Sequence, residues 1–305
     1  MSNPEILERK ITMKDVKASS DPRWCTGCGD YTILVGLRQF MVKNQLLPED
    51  TVNVSGIGCS GRIPHYMNTY GIHSVHGRAI PVATGLKLAR PDLNIFIHSG
   101  DGDALSIGGN HLIHGIKNNT NCVFMMFDNQ IYGLTKNQTS PTSKKGLPTM
   151  TAPEGSQLDP INPIQFVLGL NCSFVASTAE WMKGHLLETI DLAFKHPGFS
   201  FIHIAQRCPK FNPKAWNYQT SEWVTFLESE GGVSPDMKAA PDANVKKNDP
   251  TNYENAMASA MTGIASTFGV YYSNTDRVQY DKVQEEAKKN TPKKDPDTLL
   301  DAFII

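Results

Sequence analysis

The sequence has almost no net charge: 29 lysines and arginines stand against 30 aspartates and glutamates in 305 residues, and charged side chains make up only 19% of the chain. A field of one sign, which would draw the chain onto nucleic acid or an anionic membrane, is therefore excluded. The chain also lacks any apolar run of about 18 residues, so no bilayer-spanning helix is expected. The opening residues Met1-Ser2-Asn3-Pro4-Glu5 carry no apolar signal segment. The expectation is a soluble, cytoplasmic protein with no nucleic-acid and no membrane partner. Cysteine is scarce, with six residues: Cys25, Cys28, Cys59, Cys122, Cys172 and Cys208. Without a signal segment disulfides are not expected, and cysteines on loops point to metal or redox chemistry. No internal repeat is present.

What is present is a 40% hydrophobic content, enough for a large core. It is distributed as short apolar runs alternating with helical periodicity. Residues 93–98 read as a strand, residues 105–117 as a helix and residues 122–127 as a second strand, one βαβ unit with parallel strands. Helices are expected over residues 33–42, 79–89, 162–170, 180–195, 251–266 and 281–289. Thr251 and Glu254 are spaced as a capping box for the helix at 251. Further strands are expected over 51–55, 173–176 and 198–205, the last being the final strand of the sheet. The fold class is α/β, a mainly parallel sheet with helices on both faces. Residues 1–20 read as a loose polar arm, 21–231 as the main domain, and 232–305 as an extension packing on that domain or on a partner. Within the extension, 234–250 reads as a linker. The loop 136–160 is long enough to imply a functional or partner-facing role.

Two features carry chemistry. Gly100-Asp101-Gly102-Asp103 ends the first strand of the βαβ unit, and Asp128-Asn129 ends the second, so both turns face the crevice where such sheets bind ligands. Asp101, Asn129 and a nearby backbone carbonyl are hard oxygen donors that suit Mg²⁺ and a phosphate-bearing ligand, and the helix start beyond Asp101 favours negative charge. Cys25 and Cys28 form a Cys-x-x-Cys pair, open to three interpretations: redox pair, half of a zinc site, or half of an iron–sulfur site. No strand precedes it, which disfavours the redox pair. Cys59 and Cys208 lie just past strand ends and complete a possible four-thiolate set, for which iron–sulfur and zinc both remain open. Cys122 and Cys172 border apolar strands and read as core residues.

Gly-Asp-Gly followed at this distance by the Asn129 turn resembles the thiamine-diphosphate motif. Other motifs agree with it in order: Trp24-Cys25-Thr26-Gly27-Cys28-Gly29, Ser55-Gly56-Ile57-Gly58-Cys59-Ser60-Gly61, His76-Gly77-Arg78-Ala79, the run from Asp128 to Lys136, Ser140-Pro141-Thr142 and Cys208-Pro209. Over residues 20–230 the chain resembles the β subunits of 2-oxoacid:ferredoxin oxidoreductases, and the 129–136 segment is most like the 2-oxoglutarate members. The resemblance implies the thiamine-diphosphate-binding fold. It implies a metal held by Asp101, Asn129 and the carbonyl of Ile131, and a cofactor pocket formed by Ile57, Gly58, Cys59, Ser60, His76, Gly100, Asp101, Gly102, Asp103, Asn129, Ile131, Gly133, Leu134 and Thr135. It assigns a [4Fe–4S] cluster to Cys25, Cys28, Cys59 and Cys208. It implies oxidative decarboxylation of a 2-oxoacid with coenzyme A as acyl acceptor and ferredoxin as electron acceptor. It also implies an α subunit, in a heterodimer or α2β2 assembly, that supplies the glutamate activating the aminopyrimidine. Arg62 and Lys136 are candidates for the second carboxylate of 2-oxoglutarate, and His76 for a polar contact to the cofactor. Pyruvate or broad specificity, a non-oxidative thiamine decarboxylase, and a zinc-stapled interaction module are the alternatives.

Overall fold

Strands buried on both faces need apolar side chains on both faces, and the central strands have them. The computed structural model describes residues 9–217, 220–262 and 266–290. In chain order the elements are α1 (Met13–Val16), α2 (Asp30–Lys43), β1 (Thr51–Ser55), α3 (Ile63–Tyr66), β2 (Tyr70–His73), α4 (Ala79–Ala89), β3 (Asn94–Gly100), α5 (Asp101–Leu105), α6 (Gly109–Asn118) and β4 (Cys122–Asp128). They continue with α7 (Pro163–Gly169), β5 (Phe174–Ala179), α8 (Lys183–Lys195), β6 (Phe199–Ala205), β7 (Thr225–Glu228), β8 (Asn244–Lys247), α9 (Tyr253–Met261), β9 (Thr267–Ser273) and α10 (Tyr280–Asn290). One nine-stranded sheet runs β2-β1-β3-β4-β6-β5-β9-β7-β8. Every pairing is parallel except β5 with β9.

Alternate residues of each strand feed opposite cores. Ile95 and Ile97 of β3, with Phe124 and Met126 of β4, meet the small-residue face of α4 (Ala79, Ile80, Ala83), Leu112 and Ile116 of α6, and α7 and α9. Phe96, Val123, Met125 and Phe127 face the other way, onto Leu37, Phe40 and Met41 of α2 and Leu186 and Ile190 of α8. Because β1, β3, β4 and β6 are parallel neighbours, the segments after Ser55, Gly100, Asp128 and Ala205 all emerge at one edge of the sheet. That edge carries the site.

Several expectations need correction. The helix expected over 105–117 is two helices, α5 and α6, parted at Ser106–Gly108. A Cβ on Gly108 would come within 2.3 Å of the Asp103 carbonyl, and the chain turns there against Gly77. The described part of the N-terminal arm is not loose, since Ile11 and Val16 are buried and Lys17 bridges to Met67. β6 is not the final strand, because β7, β8 and β9 extend the same sheet, and the expected linker contains β8. The extension therefore supplies core: its Phe268 and Ala240 pack with Ala179, Ala205, Trp216 and Phe226 of the main domain. The cap of α9 is not Thr251 but Asn252, whose side chain accepts from the Asn255 N–H at 3.0 Å. α8 starts at Lys183 rather than at Glu180, whose buried carboxylate pairs with Arg207. The outermost residues of the arm and the extension, 1–8 and 291–305, lie outside the described residues, as do 263–265 in the region expected to be helical.

Candidate functional site

The Gly100 turn delivers Asp101 directly into the first turn of α5, where it is buried. Its Oδ2 accepts hydrogen bonds from Ser140 Oγ at 2.5 Å and Thr142 Oγ1 at 2.7 Å, both from the long 136–160 loop. Burial, with Asp128 close by, pushes the Asp101 carboxyl up to about 7. Asn129 follows β4, and its Oδ1 accepts from the Ile131 N–H at 3.2 Å. Asp103 lies two residues along α5 and has a different task. Its Oδ1 accepts from Ile57 N at 3.0 Å, Gly77 N at 2.8 Å and His76 Nδ1 at 2.5 Å, and its Oδ2 accepts from Ser99 Oγ at 2.5 Å. The carboxylate ties the loop after β1 to the loop before α4. Gly56 is required here, since a Cβ would lie 1.8 Å from Asp103 Oδ2.

These loops enclose a cavity lined by every cofactor-pocket residue inferred from the sequence: Ile57, Gly58, Cys59, Ser60, His76, Gly100, Asp101, Gly102, Asp103, Asn129, Ile131, Gly133, Leu134 and Thr135. Phe127, Tyr132 and Gln206 also line it and were missed. Tyr132 lay inside a motif already singled out, and its hydroxyl donates to the Gly102 carbonyl at 3.0 Å. Gln206 carried no local signal. The Ser60 hydroxyl is buried on this wall with no hydrogen-bond partner among the described residues. A donor without an acceptor, beside a carboxylate, an amide oxygen and a helix start, suits a phosphate-bearing ligand with a hard cation.

A second cavity shares a wall with the first. Cys25, Cys28, Cys59 and Cys208 all line it, together with Arg23, Trp24, Arg62, Lys136 and Phe211. Cys59, Asn129, Gly133, Leu134 and Gln206 line both cavities. A Cβ on Gly133 would stand 3.5 Å from Cys208 Sγ and 4.0 Å from Cys59 Sγ, so the bare backbone there forms the partition. Among the described residues no three His, Cys, Asp or Glu side chains converge on the position of a single ion. The four thiols line one shared cavity, and a thiolate set of this kind serves either an iron–sulfur cluster or a zinc ion. Burial raises the thiols of Cys28 and Cys208 and pushes Cys59 up to about 12, so they are protonated in the metal-free protein. Cys122 and Cys172 are core residues, as expected.

Arg62 and Lys136 border the cysteine cavity rather than the first one, and Arg62 Nη1 donates to the Arg23 carbonyl at 3.1 Å. His76 borders the first cavity through its bond to Asp103.

Comparison with known proteins agrees with this geometry. Residues 56–204 match the family described as thiamine pyrophosphate enzyme, C-terminal TPP binding domain. The β subunit of a 2-oxoacid:ferredoxin oxidoreductase from Sulfolobus sp is 37% identical over 274 residues, covering 88% of this chain and 86% of that one. The chain belongs to the 2-oxoacid:ferredoxin oxidoreductase β-subunit family. Within this family, a 2-oxoglutarate oxidoreductase subunit KorB from Mycobacterium tuberculosis is 49% identical over 199 residues, covering 65% of this chain and 53% of that one. The chain thus spans about half of that relative's length and most of the Sulfolobus subunit. A solved 2-oxoglutarate:ferredoxin oxidoreductase from Magnetococcus marinus, with 2-oxoglutarate, coenzyme A and succinyl-CoA bound, superposes with a TM-score of 0.85 at 30% identity, covering 97% of each chain. This oxidoreductase β subunit therefore carries a thiamine-diphosphate-binding α/β fold. No helix among its described residues is long and apolar enough to cross a membrane.

Proposed function

We propose that the chain is the β subunit of a 2-oxoglutarate:ferredoxin oxidoreductase, converting 2-oxoglutarate, coenzyme A and oxidised ferredoxin to succinyl-CoA, carbon dioxide and reduced ferredoxin, reversibly. The observation that carries this is the partition between the two cavities: Cys59 and Gly133 face both, so a carbanion-forming cofactor and an electron carrier would sit side by side. Asp101, the Asn129 amide oxygen and the Ile131 carbonyl would hold Mg²⁺ on the diphosphate. The four cysteines Cys25, Cys28, Cys59 and Cys208 would hold a [4Fe–4S] cluster. Thiamine diphosphate, when bound, would supply the nucleophilic carbon and the electron sink for decarboxylation, and a cluster on the four cysteines would supply one-electron chemistry beside it.

The chain's own residues set the geometry. Asp103 fixes the Ile57 and Gly77 backbones as one rigid wall, and His76 projects from that wall into the pocket. Ser60 offers an unpartnered hydroxyl for an anionic oxygen. Buried Phe127 and Ile131 help exclude water. Arg62 and Lys136 supply positive charge at the cysteine-cavity mouth, suited to the distal carboxylate of 2-oxoglutarate or to an acidic group of coenzyme A. The resemblance to the family assigns the aminopyrimidine-activating glutamate to the α subunit. We place the assembly in the cytoplasm. Support for 2-oxoglutarate comes from the names of the Mycobacterium and Magnetococcus relatives.

The test is anaerobic ferredoxin reduction with coenzyme A by the chain purified with its α subunit. A strong preference for 2-oxoglutarate over pyruvate is expected. Equal turnover of pyruvate would keep the enzyme class and overturn the substrate. Carbon dioxide release without ferredoxin reduction, in protein carrying iron and thiamine diphosphate, would favour the non-oxidative decarboxylase.

A further inference from the structure

Gln206 is the first residue after β6 and is 1% exposed. Its amide makes three contacts that reach both cavities. Nε2 donates to the Arg207 carbonyl at 2.7 Å and to Cys28 Sγ at 3.4 Å. Oε1 accepts from Asn129 Nδ2 at 2.8 Å. The orientation is determined from both ends. A carbonyl oxygen can only accept, so the Arg207 contact requires nitrogen on that side of Gln206 and turns Oε1 toward Asn129. Independently, the Ile131 N–H can only donate, so Asn129 must present oxygen there and nitrogen toward Gln206. The two assignments agree, and together they leave the Asn129 oxygen on the Ile131 side of the amide, away from Gln206, in a residue that lines the thiamine cavity. At the other end the Cys28 S–H donates to Asp30 Oδ2 at 3.4 Å, which leaves sulfur lone pairs to accept from Gln206.

We propose that Gln206 is a positioning residue shared by the two cofactor sites: its carbonyl orients Asn129 toward the diphosphate-bound cation, and its amide donates an N–H···S bond to Cys28. The inference rests on the function proposed above and adds a residue that this reading leaves unused. An amide fixing a ligand's orientation acts on metal affinity, as outer-sphere hydrogen bonds do. An N–H···S bond stabilises negative charge on the ligand sulfur, more in the reduced cluster than in the oxidised one, and so raises the reduction potential.

The test uses the anaerobically purified holoenzyme with Gln206→Met and Gln206→Glu. Three quantities are measured: iron and acid-labile sulfide per chain, the cluster potential by a titration followed by electron paramagnetic resonance, and the affinity for thiamine diphosphate with Mg²⁺. Methionine has neither donor nor acceptor of this kind, so affinity should weaken by about 10–100-fold and the potential should fall. Glutamate keeps an oxygen for Asn129 but has no N–H for Cys28, so the potential should fall while affinity stays close to wild type. A merely structural residue would not separate the two readouts. An unchanged potential in either variant at wild-type iron content overturns the proposal, as does an unchanged affinity in Gln206→Met, which can be read even if that variant loses iron. Wild-type enzyme without iron and sulfide would overturn the functional reading itself, and this proposal with it.

Discussion

Asp101 and Asp128 are bridged by a single hydroxyl, that of Thr142, which lies 2.7 Å from one carboxylate and 2.8 Å from the other. One hydroxyl has one hydrogen to give, so two ionised carboxylates cannot both be satisfied by it. Asp128 is further held by His203 at 2.9 Å, whereas Asp101 faces the cavity and is pushed up to about 7. A divalent cation at Asp101 reverses this balance by favouring the carboxylate. Asp101→Asn removes one of the two like charges while keeping the shape. The expected result is a cofactor-free protein that melts at a higher temperature than wild type but has lost Mg²⁺-dependent thiamine diphosphate binding, with its iron content unchanged. Thermal melts and equilibrium binding check the pair. Tight cofactor binding by this variant would remove Asp101 from the metal site.

Cys208, like Cys25 and Cys28, is separable from thiamine binding, because it lines the second cavity and not the first. In Cys208→Ser, iron and acid-labile sulfide should fall by more than half and the broad visible absorption should weaken, while thiamine diphosphate still binds. The spectrum also excludes zinc in the wild type if the band is present, since zinc thiolates are colourless. Unchanged iron would take Cys208 out of the ligand set.

Asp103 was expected to touch the cofactor, yet its oxygens are occupied by four donors from three segments. Asp103→Ala strands those donors, of which Gly77 N and Ser99 Oγ are buried, and should cost about 3 kcal/mol of stability. Gly56→Ala should be damaging for the same reason, because its Cβ would enter the space of a carboxylate with no freedom to move. Denaturant titration measures both. A loss of under about 1 kcal/mol in Asp103→Ala would return the residue to direct cofactor binding.

The centre of this molecule was legible because its signals are local. Apolar runs closed by Gly-Asp-Gly or Asp-Asn mark β3 and β4, and the lining of the first cavity came from the family resemblance that these and the neighbouring motifs carry. The edges were not legible. β2 is exposed along its whole length, and β8 reads Asn-Val-Lys-Lys, with no alternation to announce a strand. β9 is recruited antiparallel against β5 from nearly 100 residues away, a pairing no local pattern encodes. Gln206 was missed for the same reason, since its partners Asn129 and Cys28 lie 77 and 178 residues distant in sequence. Arg62 was correctly placed near Cys59, but which cavity it faces depends on Arg23, whose carbonyl it binds.

Acid should destabilise the fold through histidines sealed in the core. His98 is fully buried on β3, with Nε2 at 2.8 Å from Asn53 Oδ1; among the described residues its Nδ1 is unpartnered, as is Nε2 of His185 on α8. Burial lowers both from 6.5 to about 3, because the charged ring cannot be solvated there. The folded state keeps these rings neutral while the unfolded chain takes up protons below 6.5. Their stabilisation is therefore fully present above that value and is lost as pH falls through the window down to about 3. Each should cost roughly 2 kcal/mol by about pH 5. Asp30 and Asp101, both pushed up to about 7, act in the opposite direction, since the fold favours their protonated forms as pH falls from 7 toward 3.8. The raw stability curve mixes the two effects, so the measurement is a difference. His98→Gln keeps a donor for Asn53 and removes one titration, and its stability should gain on wild type by roughly 2 kcal/mol between about pH 7 and pH 5. Parallel curves for the two proteins across that range would mean that His98 takes up its proton without cost in the fold.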